Sequence, residues 1–138
     1  MIETLALAAA LRGQLEREAQ AAFPRECCGL IEGMIGLSKG DAAALHPTPN
    51  IASEPDRFEI DPAAHIALLR RLRGTGRAII GCYHSHPNGR LEPSRRDAES
   101  AGETGFLWLI AAVENNLAAP RLACFNWTGS VFAPVRVT

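Results

Sequence analysis

The segment GCYHSHPNGRLEPSRRD, residues 81–97, concentrates side chains that can bind a metal ion. His84 and His86 stand two residues apart at the end of an apolar run, and residues two apart on an extended strand point to the same side. Two imidazoles are thereby presented to one small volume, and neutral imidazole is a preferred zinc ligand. A catalytic zinc site takes three protein ligands and leaves one position for water, so a third ligand is required.

Asp97 is the candidate for that third ligand. Ser94 has the character of a helix N-cap, which places Asp97 in the first turn of a helix, and the loop 87–93 is short enough to fold this turn back under the histidines. Ser-x-x-Asp is also close to an ordinary capping box, in which the acid accepts a hydrogen bond from the backbone of the cap. Taken alone, the spacing leaves both interpretations of Asp97 open.

The joint spacing H-x-H-x(7)-S-x-x-D resembles the signature of the JAMM (MPN-plus, Mov34/PAD-1-like) metalloproteases. Upstream, residues 24–30 (PRECCGL) match the P-x-E-x-C-G-L form common in small bacterial members. Asn50 and the segment 58–62 are also similar to the stretch that lies between these motifs in the family. The resemblance therefore runs from the first predicted helix to Asp97.

This resemblance implies a role for each residue. His84, His86 and Asp97 would hold Zn²⁺. Glu26 would orient a water molecule, accept its proton and return the proton to the departing amine. Ser94, which could equally be no more than the N-cap, would donate a hydrogen bond to the oxygen that becomes negative during attack on the amide.

Family members typically cut the amide bond after the C-terminal Gly-Gly of a ubiquitin-like protein. The small bacterial form resembles enzymes that process β-grasp sulfur-carrier proteins. The resemblance thus implies a zinc peptidase or isopeptidase whose substrate and partner is such a carrier, with an MPN/cytidine-deaminase-like fold.

Other functions fit parts of the pattern. The segment 84–97 also has the H-x-H-P-x-G-x-x-x-P-S-x-x-D form of RadC-type proteins, although no helix-hairpin-helix region precedes it. A scaffold of the same fold would bind a partner without turnover, but scaffold members usually lack the metal ligands. A zinc deaminase is rejected because the P-C-x-x-C companion motif is absent.

The elements that must position these residues alternate between helix and strand, which predicts an α/β sandwich in one domain spanning residues 1–138, a mixed sheet flanked by helices. Helices are expected over Thr4–Phe23, from Pro62 to Gly74, and from Ser94. Strands are expected over Cys27–Gly33, Asp41–Leu45, Arg57–Ile60, Arg77–Tyr83, 106–113, 121–127 and 130–137, with an exposed loop over His46–Asp56.

Composition narrows the functional classes. The formal net charge of −1 on 138 residues gives no general attraction to nucleic acid or anionic membrane. A convincing secretory signal and a membrane-spanning apolar run are both missing, so a cytoplasmic location is expected.

No two of the four cysteines have C-x-x-C spacing, which favours buried thiols. The arginines at 70, 71, 73 and 77 would form a solvated helix end or dock an acidic partner.

Overall fold

A seven-stranded mixed sheet and three helices make up the fold, seen in a computed structural model that describes residues 1–138. The strands and helices follow in the order β1 Thr4–Ala6, α1 Ala9–Ala22, β2 Cys28–Ile35, β3 Lys39–Thr48, α2 Pro62–Leu72, β4 Ala78–His86, α3 Arg95–Ser100, β5 Leu107–Ala112, β6 Arg121–Trp127 and β7 Phe132–Val137. The predicted mixed α/β architecture is confirmed.

The strands lie in the order β1-β3-β2-β4-β5-β6-β7, and the sheet closes on itself through β1. This short strand runs parallel to both β3 and β7 and joins the two ends. The strands β4 and β5 are also parallel, whereas the remaining neighbours are antiparallel. Closure leaves few unpaired strand edges in the sheet.

Two apolar cores lie on opposite faces of the sheet. The buried residues of α1, Leu15 and Ala19, belong to the larger core, and Leu68 and Leu72 of α2 belong to the smaller one. The central strand β5 serves both cores, because Leu109 points into the first and Trp108 into the second, as the twofold alternation of a strand requires. Helices therefore cover both faces, and β5 is buried along its whole length.

Strand β4 is fixed by neighbours on both sides and ends in the two histidines. Its Tyr83 is fully buried and donates a hydrogen bond from its hydroxyl to Glu18 of α1 over 2.7 Å. Tyr83 faces Gly29 across the β2–β4 pair, where an added Cβ would overlap the phenol ring. The glycine of the PRECCGL segment thus permits the close approach of β2 to β4.

Helix α2 begins at Pro62 as predicted and ends at Leu72, shortly before Gly74. The Asp61 carboxylate accepts a hydrogen bond from the backbone N–H of Ala63 over 2.9 Å, and Pro62 occupies the first helical position. Gly74, with φ of 80°, follows the end of the helix. None of the three helices is long and apolar enough to cross a membrane.

The predicted helix over Thr4–Phe23 is wrong in its first residues. Thr4–Ala6 form strand β1, and the helix begins at Ala9. Leu5 is fully buried in the larger core, and β1 gains backbone hydrogen bonds from strands distant in sequence. These tertiary contacts outweigh the helical propensity of the segment.

Two expectations in the middle of the chain are also wrong. No strand forms over Arg57–Ile60, where a single bridge joins Asn50 to Ile60. The predicted loop over His46–Asp56 begins late, because β3 continues through Pro47 to Thr48 beside β2. Proline is tolerated there because β1 pairs with β3 only over residues 39–41, so the other edge of β3 is free at residue 47.

The two-sided burial of β5 predicts a large energetic difference between two leucines. Leu109 is fully buried, whereas Leu117 is 89% exposed. Leu109→Ala should lower the free energy of unfolding by about 2–5 kcal/mol, and Leu117→Ala should change it by less than about 0.5 kcal/mol. Urea denaturation with a metal chelator present measures both values; equal losses in the two variants would contradict this assignment of the core.

Candidate metal centre

His84 and His86 lie at the carboxyl end of β4 and point to the same side of the strand, as their spacing predicts. Both side chains are buried, and their Nε2 atoms are 2.9 Å apart. The ring of Phe58 stacks on that of His84 with centroids 4.2 Å apart, and Trp108 meets the His84 ring edge-on. Aromatic packing therefore holds the His84 ring in one orientation.

Asp97 completes a three-residue group with the two histidines. Its Oδ2 atom lies 3.2 Å from Nε2 of His84 and 3.1 Å from Nε2 of His86. All three residues are buried. The structure thus brings together the three residues that the sequence proposed as metal ligands.

The capping box that was the alternative for Asp97 is also present. Asp97 Oδ2 accepts a hydrogen bond from the backbone N–H of Ser94 over 2.8 Å, and Ser94 Oγ accepts one from the backbone N–H of Asp97 over 3.0 Å. The two interpretations are therefore not exclusive. The cap fixes the carboxylate so that one of its oxygens faces the imidazoles.

The donor set fits a metal ion. His86 Nδ1–H donates to the backbone carbonyl of Arg90 over 2.9 Å, which orients the ring with Nε2 directed at the group. The ligand atoms of a tetrahedral zinc ion, with Zn–N bonds of about 2.0–2.1 Å, lie about 3.3 Å apart. The three donor atoms here are separated by 2.9–3.2 Å, close to that requirement.

The protonation states of Asp97 and His84 also suit metal binding. Burial alone would raise the pKa of Asp97, but the hydrogen bonds from His84 and His86 hold it well below its usual range. Burial lowers the pKa of His84 and favours the neutral ring. For His86, burial is outweighed by contacts with Asp97 and Arg90, which raise the pKa. At neutral pH the group thus contains an ionised carboxylate and a neutral His84 imidazole, the forms that coordinate a cation.

The register of the sheet brings Glu26 to this group. Cys28 of β2 pairs with His84 of β4, so continuing the antiparallel register by two residues sets Glu26 opposite His86. Burial raises the pKa of Glu26 to about 7, an effect that His86 partly offsets and that Asp97 reinforces. The Glu26 carboxylate accepts no hydrogen bond within the protein and remains free to take a proton.

A polar cleft of about 390 Å³ joins the predicted residues. Glu26, His86 and Ser94 all line it, and its remaining walls come from Asp56, Asn88, Arg90, Glu92, Pro93 and Arg95. Ser94 is exposed there, and because its Oγ only accepts a hydrogen bond from Asp97, the hydroxyl hydrogen is free to be donated. The cleft has no apolar wall apart from the proline.

The sequence analysis missed the contribution of two residues around Glu26. Ser85, between the histidines, is fully buried and accepts a hydrogen bond from the backbone N–H of Cys27 over 2.8 Å. The Asn50 side chain donates to the carbonyl of Glu26 over 3.0 Å. Asn50 was noted only as part of the family resemblance, and the alternation of a strand, which turns Ser85 away from the histidines, was the only signal for Ser85.

The other singled-out residues lie outside the group. All four cysteines are free thiols, three of them buried. His46 contacts the buried Glu32 carboxylate over 2.8 Å, and Arg77 contacts the same carboxylate over 2.9 Å. Docking of an acidic partner by the arginines at 70, 71, 73 and 77 stays a prediction.

The fold and the site together define a metal-dependent hydrolase: a buried His-His-Asp group at a strand end, with a protonatable carboxylate in the same cleft. The chain belongs to the prokaryotic homologs of the JAB domain, since the model of that family matches residues 8–126. This membership confirms the JAMM/MPN resemblance, and the chain is a hydrolase of that type.

Curated relatives agree with this assignment. The chain is 33% identical over 115 residues to the desampylase of Haloferax volcanii, covering 83% of this chain and 78% of that protein. It is 34% identical over 91 residues to a probable TtuB-protein conjugate cleaving protease of Thermus thermophilus, covering 65% of this chain and 55% of the Thermus protein.

Two solved structures show the same fold. The solution structure of a Desulfitobacterium hafniense protein superimposes with a TM-score of 0.87 at 22% identity, covering 98% of this chain and 92% of that one. The crystal structure of a JAB1/MPN domain protein from Archaeoglobus fulgidus gives a TM-score of 0.60 at 19% identity, covering 99% and 98% of the two chains.

The geometry of the group predicts that metal binding depends on His86. His86→Ala removes one of three donors, so the variant should retain little of the single equivalent of divalent metal expected in the wild type. Inductively coupled plasma mass spectrometry after dialysis measures the metal content of each protein. His65→Ala is the matched control, because His65 is not part of the group, and it should retain the metal. Full metal content in His86→Ala would contradict the assignment.

Proposed function

We propose that this chain is a zinc-dependent peptidase or isopeptidase. It hydrolyses the amide bond that follows the C-terminal Gly-Gly of a ubiquitin-like or sulfur-carrier protein. The observation that carries the proposal is the presence of Glu26, Ser94 and the ligand residue His86 in the walls of one cleft. A base, a hydroxyl donor and a metal group are what amide hydrolysis by activated water requires.

His84, His86 and Asp97 are the proposed zinc ligands. A bound zinc ion would supply Lewis acidity and would lower the pKa of a water ligand to about 7. Two imidazoles and a carboxylate match the ligand types of catalytic zinc sites, and the capping box and the Arg90 carbonyl hold two of the ligands from outside the group.

Glu26 is the proposed general base and general acid. A pKa raised to about 7 by burial suits both roles, because the carboxylate can accept a proton from the attacking water and the resulting acid can release it to the leaving amine. The hydrogen-bonding capacity of its carboxylate is not used by the protein.

Ser94 is the proposed hydrogen-bond donor to the developing oxyanion. Its Oγ accepts from the helix backbone, so the hydroxyl hydrogen can turn into the cleft without loss of the cap. The N-cap role and the catalytic role therefore coexist in one side chain.

The relatives support the substrate class. One is named a desampylase and another a probable TtuB-protein conjugate cleaving protease, so both names describe cleavage of a protein conjugate. The cleft also suits glycine, since its polar walls offer no apolar pocket to a large side chain beside the metal group. We also propose that the metallopeptidase domain spans the whole of residues 1–138. The cytoplasmic location stays a prediction.

Cleavage of a carrier protein tests this proposal. A β-grasp sulfur carrier from the same organism, with a C-terminal extension beyond Gly-Gly, should be cut after the second glycine by the zinc-loaded protein, as followed by mass spectrometry. Glu26→Gln should lower kcat by about 10²–10⁴-fold because the base is lost, and it should still bind zinc. A carrier that stays intact after incubation with the zinc-loaded wild-type protein would contradict this choice of substrate. Full activity of the Glu26→Gln variant would contradict the role of Glu26 as the base.

Ser94 offers a separate test of the oxyanion role. Ser94→Ala should lower kcat by about 10²–10³-fold and should also lose about 1 kcal/mol of N-cap stabilisation. Ser94→Asp retains an N-cap acceptor without the donor, so it should keep the helix but not the activity. Steady-state kinetics with circular dichroism separates these effects; an active Ser94→Asp protein would leave Ser94 with the cap role alone.

A further inference from the structure

Glu26 lies in a segment that no regular element holds. Helix α1 ends at Ala22 and β2 begins at Cys28, so neither helical nor strand hydrogen bonds define the backbone of Glu26 itself. The metal group is built on other elements, β4 and α3. The position of the Glu26 carboxylate relative to that group must therefore be set by specific tertiary contacts.

The peptide group between Glu26 and Cys27 is hydrogen-bonded through both its carbonyl oxygen and its N–H. Its carbonyl oxygen accepts a hydrogen bond from Asn50 Nδ2 over 3.0 Å, and its N–H donates to Ser85 Oγ over 2.8 Å. Ser85 adds a backbone hydrogen bond of 3.1 Å from its own N–H to the carbonyl of Cys27. Both polar atoms of this one peptide unit are thus bound by side chains from elsewhere in the chain.

The amide of Asn50 uses its full hydrogen-bonding capacity. Besides the Glu26 carbonyl, Nδ2 donates to the carbonyl of Arg57 over 3.1 Å. Its Oδ1 accepts from the backbone N–H of Ala52 and of Glu59, each over 3.0 Å. Making all four contacts requires two N–H donors and an oxygen that accepts two hydrogen bonds. The side-chain amide of asparagine provides both.

The loop that Asn50 closes also contacts the metal group. This loop, residues 50–60, is fastened by the bridge from Asn50 to Ile60 and carries Phe58, which stacks on His84. Its acidic residues Glu54 and Asp56 form ion pairs with Arg96, the neighbour of Asp97. Through Asn50 the loop is therefore connected to the Glu26 backbone and, at other points, to the elements that carry the ligands.

We propose that Asn50 and Ser85 are positioning residues that hold the Glu26 carboxylate in reach of the metal group. They fix the plane of the peptide that follows Glu26, and with it the direction in which the side chain leaves the backbone. The proposal rests on the proposed function of Glu26 as the base. We call the hydrogen bonds from Asn50 and Ser85 to the Glu26–Cys27 peptide the clamp. A displacement of about 1 Å at such a site costs on the order of 10²-fold in rate, so loss of the clamp should slow the reaction.

Kinetics of Asn50 variants test the clamp. Asn50→Asp keeps both acceptor contacts of the loop but loses both donors, so kcat on the extended carrier should fall about 10- to 100-fold while KM stays within about twofold and zinc content is unchanged. Asn115 provides the matched control, because its Oδ1 also accepts two backbone N–H groups, those of Leu117 and Ala118. Asn115→Ala should leave kcat unchanged. A normal kcat in Asn50→Asp, or a loss fully accounted for by lost zinc, would overturn the proposal.

Amide exchange gives a readout that does not depend on activity. In Asn50→Ala the Cys27 N–H should exchange at least about tenfold faster than in the wild type, since opening of this peptide becomes easier, whereas Asn115→Ala should not alter it. Unchanged exchange would overturn the clamp even if activity fell. If the wild type cleaves no carrier but Asn50→Ala accelerates this exchange, the proposed function fails while the clamp stands. Ser85 is fully buried, whereas Asn50 is only partly buried, so substitutions at Asn50 are used for the test.

Discussion

One carboxylate oxygen, Asp97 Oδ2, joins helix α3 to the end of β4. It faces the Nε2 atoms of His84 and His86 and also accepts the backbone N–H of Ser94. The carboxylate is buried and ionised, and a buried charge that lost one of these partners would be strongly destabilising. Helix α3 is therefore anchored by the same carboxylate that belongs to the metal group, so the local fold and the site cannot be changed separately.

The rest of the site follows from the order of the strands. Because β2 is the antiparallel neighbour of β4 and Cys28 faces His84, the chain that enters β2 passes the histidines. That register delivers Glu26 to the cleft, and Gly29 allows the two strands to approach at Tyr83. On the other side β5 runs parallel to β4 and contributes Trp108, whose ring supports His84. A mixed sheet with β4 in its middle thus surrounds one strand end with the base, the ligands and their aromatic support.

Local rules were sufficient for part of this arrangement. The two-residue period of a strand placed His84 and His86 together, and the helix N-cap rule placed Asp97 one turn from Ser94. Contacts that depend on distant residues could not be predicted in the same way. Glu26 was reached only through the family resemblance, because its proximity to His86 is a consequence of the β2–β4 register.

The errors have the same origin. Thr4–Ala6 have a helical pattern, yet they pair with β3 and β7, which lie far along the chain. Phe58 belongs to the segment Arg57–Ile60, which was predicted to be a strand, yet the ring packs on His84 within a loop closed by Asn50. In each case a hydrogen bond or aromatic contact across the fold outweighs the local preference.

The most direct test of this account is anomalous diffraction at the zinc edge from crystals of the zinc-loaded protein. The account predicts one strong peak at about 2.0–2.2 Å from His84 Nε2, His86 Nε2 and an Asp97 carboxylate oxygen, with the Glu26 carboxylate nearby but not coordinated. A peak centred elsewhere, for example between His46 and Glu32, or a zinc ion ligated by Glu26 in place of Asp97, would contradict it.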